Sequence, residues 1–164
     1  MNKLLIIALI AILNSGCYSF KGFTIDCNTT KTFNINPLSN NAASAPATIN
    51  IDFGELLRDK VLSETCLSST SANGDVEFSG EIFKFSVSSV APSANETNLL
   101  NRLTIGVSID FINHVNPDEN YSKRYEWYEE YDSNENLLSV QDQLIATISE
   151  QIIINLFNDA FTNW

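Results

Sequence analysis

The chain has 164 residues, with 9 basic and 20 acidic side chains and a formal net charge of −11. So acidic a chain is a poor general binder of nucleic acid, and we expect no nucleic-acid partner. Its length corresponds to one domain that is large enough to bury a real hydrophobic core.

The N-terminus has the pattern of a secretory signal peptide. Lys3 supplies a positive charge, residues 4–13 are apolar throughout, and Asn14-Ser-Gly-Cys17 follows. This apolar run is too short to span a bilayer core of about 30 Å. The sequence therefore predicts removal of residues 1–16 and attachment of acyl chains such as palmitate at Cys17, as in bacterial lipoproteins. An ordinary cleaved signal is the alternative, because Asn14 stands where lipoprotein signals usually carry an aliphatic residue.

Two further cysteines, Cys27 and Cys66, follow the lipidation site. Export permits them to form a disulfide, and closure of so long a loop would stabilise the fold by about 4 kcal/mol in the entropy model. Nothing in their spacing proves that they meet. Two free, half-buried thiols are the other interpretation.

The rest of the chain predicts one domain at residues 31–164, preceded by a tether at residues 17–30. Alternating apolar residues predict strands, and apolar residues every three or four positions predict helices. The predicted elements are a strand at 31–36, a helix at 46–65, strands at 76–90, 99–115 and 121–131, and a helix from about 139 to 161. The order β-α-β-β-β-α predicts an α+β fold, with two helices packed on one face of a mostly antiparallel four-stranded sheet.

Two local patterns refine these elements. The strand at 76–90 changes phase part-way, which predicts a bulge around residues 80–82; the apolar residues concerned are Val76 and Phe78 on one parity, and Phe83, Phe85 and Val87 on the other. Ser139, followed three residues later by Asp142, resembles a capping box and predicts where the last helix begins.

No catalytic motif is present, so we expect this chain not to be an enzyme. The sequence lacks a nucleophile elbow, a zinc-protease motif and a phosphate-binding loop. One histidine, His114, and the absence of a Cys-x-x-Cys pair also argue against a metal site, and we expect no cofactor.

Six short segments are informative through their order and spacing. They are residues 15–20 (SGCYSF), 55–62 (ELLRDKVL), 73–82 (NGDVEFSGEI), 95–97 (NET), 101–105 (NRLTI) and 159–164 (DAFTNW). Together these segments resemble the LptE family of lipopolysaccharide-assembly lipoproteins, in its Bacteroidetes-type form, and the resemblance covers nearly the whole mature chain.

The resemblance implies an outer-membrane lipoprotein that faces the periplasm and plugs the LptD β-barrel during lipopolysaccharide transport. The expected partners are therefore an LptD-like barrel, lipopolysaccharide and the membrane that holds the N-terminal lipid. Large barrels of this kind have polar lumens, which a compact domain with polar faces suits.

Lipopolysaccharide binding, which the resemblance also implies, would need a basic patch for the phosphates. The candidates are Arg58, Lys60, Arg102, Lys123 and Arg124, although ordinary surface charge explains them as well. The alternative function is a free-standing, periplasm-facing lipoprotein that binds a lipid or a glycan on its aromatic strand at 121–131.

Overall fold

The computed structural model describes residues 25–91 and 99–162. The predicted signal peptide, Cys17 and the first part of the predicted tether lie outside these residues. The elements in chain order are β1 (Thr32–Ile35), β2 (Ser39–Asn40), α1 (Ile49–Glu64), β3 (Ser68–Ser69), β4 (Val76–Val90), β5 (Leu100–Asn113), a short 3-10 helix (Pro117–Glu119), β6 (Tyr121–Asp132) and α2 (Leu137–Phe161).

The two helices and the one mixed sheet of residues 25–91 and 99–162 confirm the predicted α+β class. The sheet, however, has six strands in place of four, in the order β3-β1-β4-β5-β6 with β2 also beside β4. Strands β2 and β3 have two residues each, too few for an alternating pattern to be visible in the sequence.

The expectation of a mostly antiparallel sheet holds only for its larger half. β4, β5 and β6 form an antiparallel meander, whereas β1 runs parallel to both β3 and β4, and β2 runs parallel to β4. The parallel pairs arise because α1 carries the chain back along the sheet before the next strand begins.

The core lies between the sheet and the two helices. α1 contributes a buried stripe at helical spacing, formed by Ile49, Phe53, Leu57 and Val61. β5 contributes alternate residues, which are all buried: Leu103, Ile105, Val107, Ile109 and Phe111. Fully burying one such side chain stabilises a fold by about 1.5–3 kcal/mol before entropy is counted, so these two sets account for much of the driving force.

The bulge in β4 lies just beyond the predicted segment. The register with β5 shifts between Ile82 and Lys84, so Phe83 is the extra residue. The parity count predicted that Phe83 and Phe85 share a face, and this was wrong because the extra residue changes the alternation. Its ring instead lies over Gly106 of β5, on the face away from the helices.

α2 begins before the predicted capping box. Its N-cap is Asn136, whose side-chain oxygen accepts a hydrogen bond from the Leu138 backbone N–H at 3.0 Å. The prediction based on Ser139 was wrong because Ser139 lies inside the first turn, where its hydroxyl donates to the Asn136 carbonyl oxygen at 2.6 Å. Among the described helices, none is both long and apolar enough to cross a membrane.

Candidate functional site

Within the described part of the chain, the sheet has one face that neither α1 nor α2 covers, and we call it the open face. Residues on this face alternate with the core residues, and the register aligns them in rows across the three long strands. Three successive rows are Lys84-Gly106-Glu126, Ser86-Thr104-Tyr128 and Ser88-Arg102-Glu130. The open face is consequently made of hydroxyl groups, charged pairs and a few aromatic rings.

Ion pairs cross this face from one strand to another. The Lys84 Nζ lies 2.6 Å from a Glu126 carboxylate oxygen, and the Arg102 Nη2 lies 2.6 Å from a Glu130 carboxylate oxygen. The guanidinium of Arg102 also covers the Tyr128 ring, 3.9 Å from its centroid. Arg102, one of the predicted phosphate contacts, is thus already engaged with two neighbours on β6.

Arg124 is placed differently on the same face. Its guanidinium lies 4.9 Å from the centroid of the Phe83 ring, and it forms no ion pair with a carboxylate in residues 25–91 or 99–162. The side chain is exposed. A guanidinium with this freedom can bind a phosphate or carboxylate through two parallel hydrogen bonds.

A cleft runs along the outer edge of β6, beside the C-terminal half of α2, and we call it the edge cleft. Its volume is about 380 Å³. The residues that line it are mostly polar: Lys123, Arg124, Tyr125, Glu126, Asn155, Asn158 and Asp159. The structure therefore brings together Lys123 and Arg124, two of the predicted phosphate contacts, with two amide side chains from α2.

The carboxylates of the edge cleft are already neutralised. Asp159 accepts hydrogen bonds from the Lys123 Nζ at 2.6 Å and from the Tyr125 hydroxyl at 2.7 Å, and Glu126 pairs with Lys84. Arg124 is consequently the cation of the cleft that has no carboxylate partner among the described residues.

The Tyr125 phenol, which is bonded to Asp159, lies beside a second phenol, that of Tyr121. The Tyr121 and Tyr125 hydroxyl oxygens lie 3.4 Å apart. Burial raises the pKa of Tyr121 from 10.0 to about 12. Burial, followed by hydrogen bonding with Tyr121 and Asp159, raises the pKa of Tyr125 as well. Both phenols therefore keep their protons at neutral pH, and Tyr125 remains a hydrogen-bond donor to Asp159.

The two remaining predicted contacts, Arg58 and Lys60, lie on α1, on the other side of the sheet from Arg124. The Arg58 Nη1 donates to the Ser69 hydroxyl oxygen at 2.6 Å, and the Lys60 Nζ lies 5.5 Å from the Phe157 ring centroid. The five predicted residues thus do not form one patch. Cys17, the predicted lipidation site, lies outside the described residues.

Cys27 and Cys66 are joined by a disulfide, with Cα atoms 6.1 Å apart. The bond links the segment before β1 to the short loop between α1 and β3. The sequence left open whether the two cysteines form a disulfide or remain free thiols, and the structure shows the disulfide.

Sequence reasoning missed Phe83, Asn155 and Asn158 as site residues. The change of phase in β4 was the signal for Phe83, but parity alone placed its ring on the wrong face. No sequence signal distinguished Asn155 and Asn158, because an asparagine on an exposed helix face is common and only the packing of α2 beside β6 brings them to Lys123 and Arg124.

The sequence matches no protein-family model and no curated protein. Among solved structures, the chain is similar to the PelC dodecamer from Paraburkholderia phytofirmans, with 8% identity, a TM-score of 0.50, and coverage of 85% of this chain and 93% of that one. It is also similar to the hypothetical protein CT253 from Chlamydia trachomatis, with 7% identity, a TM-score of 0.48, and coverage of 80% and 98%.

The similar structures include bacterial lipoproteins. One is the rare lipoprotein B from Shewanella oneidensis, with 13% identity, a TM-score of 0.45, and coverage of 77% of this chain and 89% of that one. Lipoproteins from Neisseria meningitidis and Acinetobacter baumannii are others. At these identities the likeness concerns the fold alone.

Proposed function

We propose that this chain is an outer-membrane lipoprotein that faces the periplasm and plugs an LptD-like β-barrel during lipopolysaccharide transport. The open face is the observation that carries this proposal. Neither helix covers it, and its hydroxyl groups and cross-strand ion pairs suit contact with the polar lumen wall of a large barrel. The predicted signal peptide at residues 1–16, followed directly by Cys17, and the resemblance to the LptE family support the same assignment.

We further propose that Arg124, with Lys123 beside it, contacts the phosphates of lipopolysaccharide. Arg124 has no carboxylate partner among the described residues, and the edge cleft next to it holds amide donors from α2. Arg102 is a weaker candidate because Glu130 already occupies its guanidinium.

The test is an affinity pull-down of the tagged, full-length protein from detergent-solubilised outer membranes. Partners are identified by mass spectrometry, and bound lipopolysaccharide is assayed in the same eluate. We expect a large β-barrel protein in roughly equal amount to the bait. Recovery of the lipoprotein without any barrel would contradict the plug assignment.

A matched pair of charge reversals separates the two faces of the domain. Arg124→Glu should lower the recovery of the barrel and of lipopolysaccharide, because it adds a negative charge to the open face at the edge cleft. Arg58→Glu places the same change on α1 and should leave both recoveries near the wild-type level. Equal losses in the two variants would remove the open face from the proposal.

A free-standing lipid- or glycan-binding lipoprotein is the second candidate function. The observation that favours it is a pair of adjacent aromatic side chains on β6, Trp127 and Tyr128, which are 39% and 48% exposed. Their rings are nearly parallel, with an interplanar angle of 20°. Exposed aromatic rings of this kind offer a flat apolar surface on which the apolar face of a sugar ring can stack. Pull-down of the lipoprotein alone, together with a glycan, would favour this candidate.

A further inference from the structure

The disulfide is located at one end of the sheet. Cys66 lies two residues before Ser68, which pairs with Thr32 on β1. The next residue of β1, Phe33, pairs with Val76. Val76 in turn pairs with Asn113, the last residue of β5. We call the end of the sheet that holds Thr32, Val76 and Asn113 the anchored end.

The opposite end of the sheet is defined by another aligned row. Val90, Leu100 and Asp132 are paired across β4, β5 and β6, and we call this the far end. The Ser133 N–H donates to the Leu99 carbonyl oxygen at 3.0 Å, which fixes the start of the turn into α2 at this end. Two apolar side chains are largely exposed here, Leu99 at 60% and Leu138 at 76%.

The lengths of the tether and of the sheet can be compared directly. Ten residue steps separate Cys17 from Cys27, and a fully extended chain covers at most roughly 34 Å over that number of steps. β5 has 14 residues, which corresponds to about 45 Å at the usual rise of a strand. Ile25 packs against the core and shortens the free part of the tether further. A lipid on Cys17 therefore lies within reach of the anchored end and out of reach of the far end.

We propose that the disulfide orients the domain on its membrane, with the anchored end towards the lipid headgroups and the far end directed away from them. This inference rests on the lipidation of Cys17 that forms part of the proposed function. The full chain has a formal net charge of −11, so the acidic domain gains no electrostatic attraction by lying flat on an anionic leaflet. The short tether is then left to set the orientation. Leu99 and Leu138 are then not membrane-inserting residues of the anchor.

The experiment uses the lipidated, full-length protein in phosphatidylethanolamine–phosphatidylglycerol vesicles that contain a lipid with a nitroxide on its headgroup. One fluorophore is attached to an introduced cysteine, in Asp118→Cys near the anchored end or in Glu135→Cys near the far end. Both positions are exposed acidic residues outside the strands. We expect about threefold stronger quenching at position 118, because only the anchored end lies within the tether's reach.

The Cys27→Ser/Cys66→Ser double variant is the control, because it removes the covalent hold on the segment before β1 and should reduce the difference between the two positions. Equal quenching at both positions in the disulfide-bonded protein, or stronger quenching at position 135, would overturn the proposed orientation. Vesicle flotation is measured on the same samples. Protein that fails to float would overturn the lipid anchor, and the orientation with it, whereas protein that floats with equal quenching would overturn the orientation alone.

Discussion

Phe83 lies on the open face because the bulge adds one residue to β4 and because β5 has a glycine directly opposite. A Cβ atom at Gly106 would lie 2.7 Å from the Phe83 Cζ, closer than Cβ atoms approach other atoms, and 3.0 Å from the Lys84 Cβ, which is a tight contact. The glycine thus lets the tip of the Phe83 ring approach β5, and the Arg124 guanidinium lies 4.9 Å from the centroid of the same ring.

We predict that Gly106→Ala lowers the free energy of unfolding by about 1–2 kcal/mol, because the Phe83 ring must leave its place over β5. Urea denaturation measures the change. In a Phe83→Ala background the same substitution should cost less, since the ring that it displaces is gone. An equal cost in both backgrounds would mean that the contact between Phe83 and Gly106 does not stabilise the fold.

The phenol of Tyr121 makes the stability of the fold depend on pH, and the direction of its pKa shift fixes the direction of that dependence. Burial raises its pKa from 10.0 to about 12, so folding favours the protonated form. This contribution to stability is fully present below pH 10.0 and is lost as the pH rises towards 12.

We predict that Tyr121→Phe removes part of the loss of stability at alkaline pH. Between about pH 9 and pH 11 the wild-type protein should lose about 1 kcal/mol more than the variant, because phenylalanine has no proton to release. Urea denaturation at the two pH values provides the comparison. Parallel losses in the two proteins would show that Tyr121 titrates alike in the folded and unfolded chain.

At the scale of elements, the helices and the long strands follow from periodicity, while their ends follow from individual hydrogen bonds. The observed α1, Ile49–Glu64, lies inside the predicted segment, because a buried stripe at helical spacing is visible in the sequence. The sequence pattern predicts that α2 begins near Ser139, but the Asn136 side chain is the acceptor that caps this helix.

We predict that Asn136→Ala lowers the free energy of unfolding by about 1 kcal/mol through loss of the N-cap. Ser139→Ala should cost only a few tenths, because it leaves the bond between Asn136 and the Leu138 N–H intact. Thermal or urea unfolding of the two variants decides between the cap that the structure shows and the one that the sequence suggested. A larger loss in Ser139→Ala would contradict the assignment of the cap.

At the scale of the molecule, the disulfide cross-links the segment before β1 to the segment that follows α1. Cys27 and Cys66 are 39 residues apart in the sequence. Closing a loop of that length lowers the conformational entropy of the unfolded chain. The disulfide therefore stabilises the folded state relative to the unfolded state.

We predict that the Cys27→Ser/Cys66→Ser double variant loses about 4 kcal/mol of stability, by the chain-entropy model. Guanidinium denaturation of the variant, compared with the oxidised wild-type protein, measures the loss. Reduced wild-type protein is the matched control and should resemble the variant. A loss much below this value would mean that the unfolded chain already holds the two ends of the loop together.

The sequence by itself determined the α+β class, the two helices and the three long strands, because each of these depends on a periodic pattern within one segment. It also determined the acidic charge that argues against nucleic acid, and it supplied the signal that predicts a lipid on Cys17. Only the tertiary structure decided the six-stranded mixed sheet, the bond between Cys27 and Cys66, the position of Phe83 and the separation of Arg58 and Lys60 from Arg124. These features depend on contacts between segments that are distant in the sequence. A periodic pattern reports only on the segment that carries it. It therefore cannot predict a two-residue strand, a single bulge or a contact between side chains of different elements.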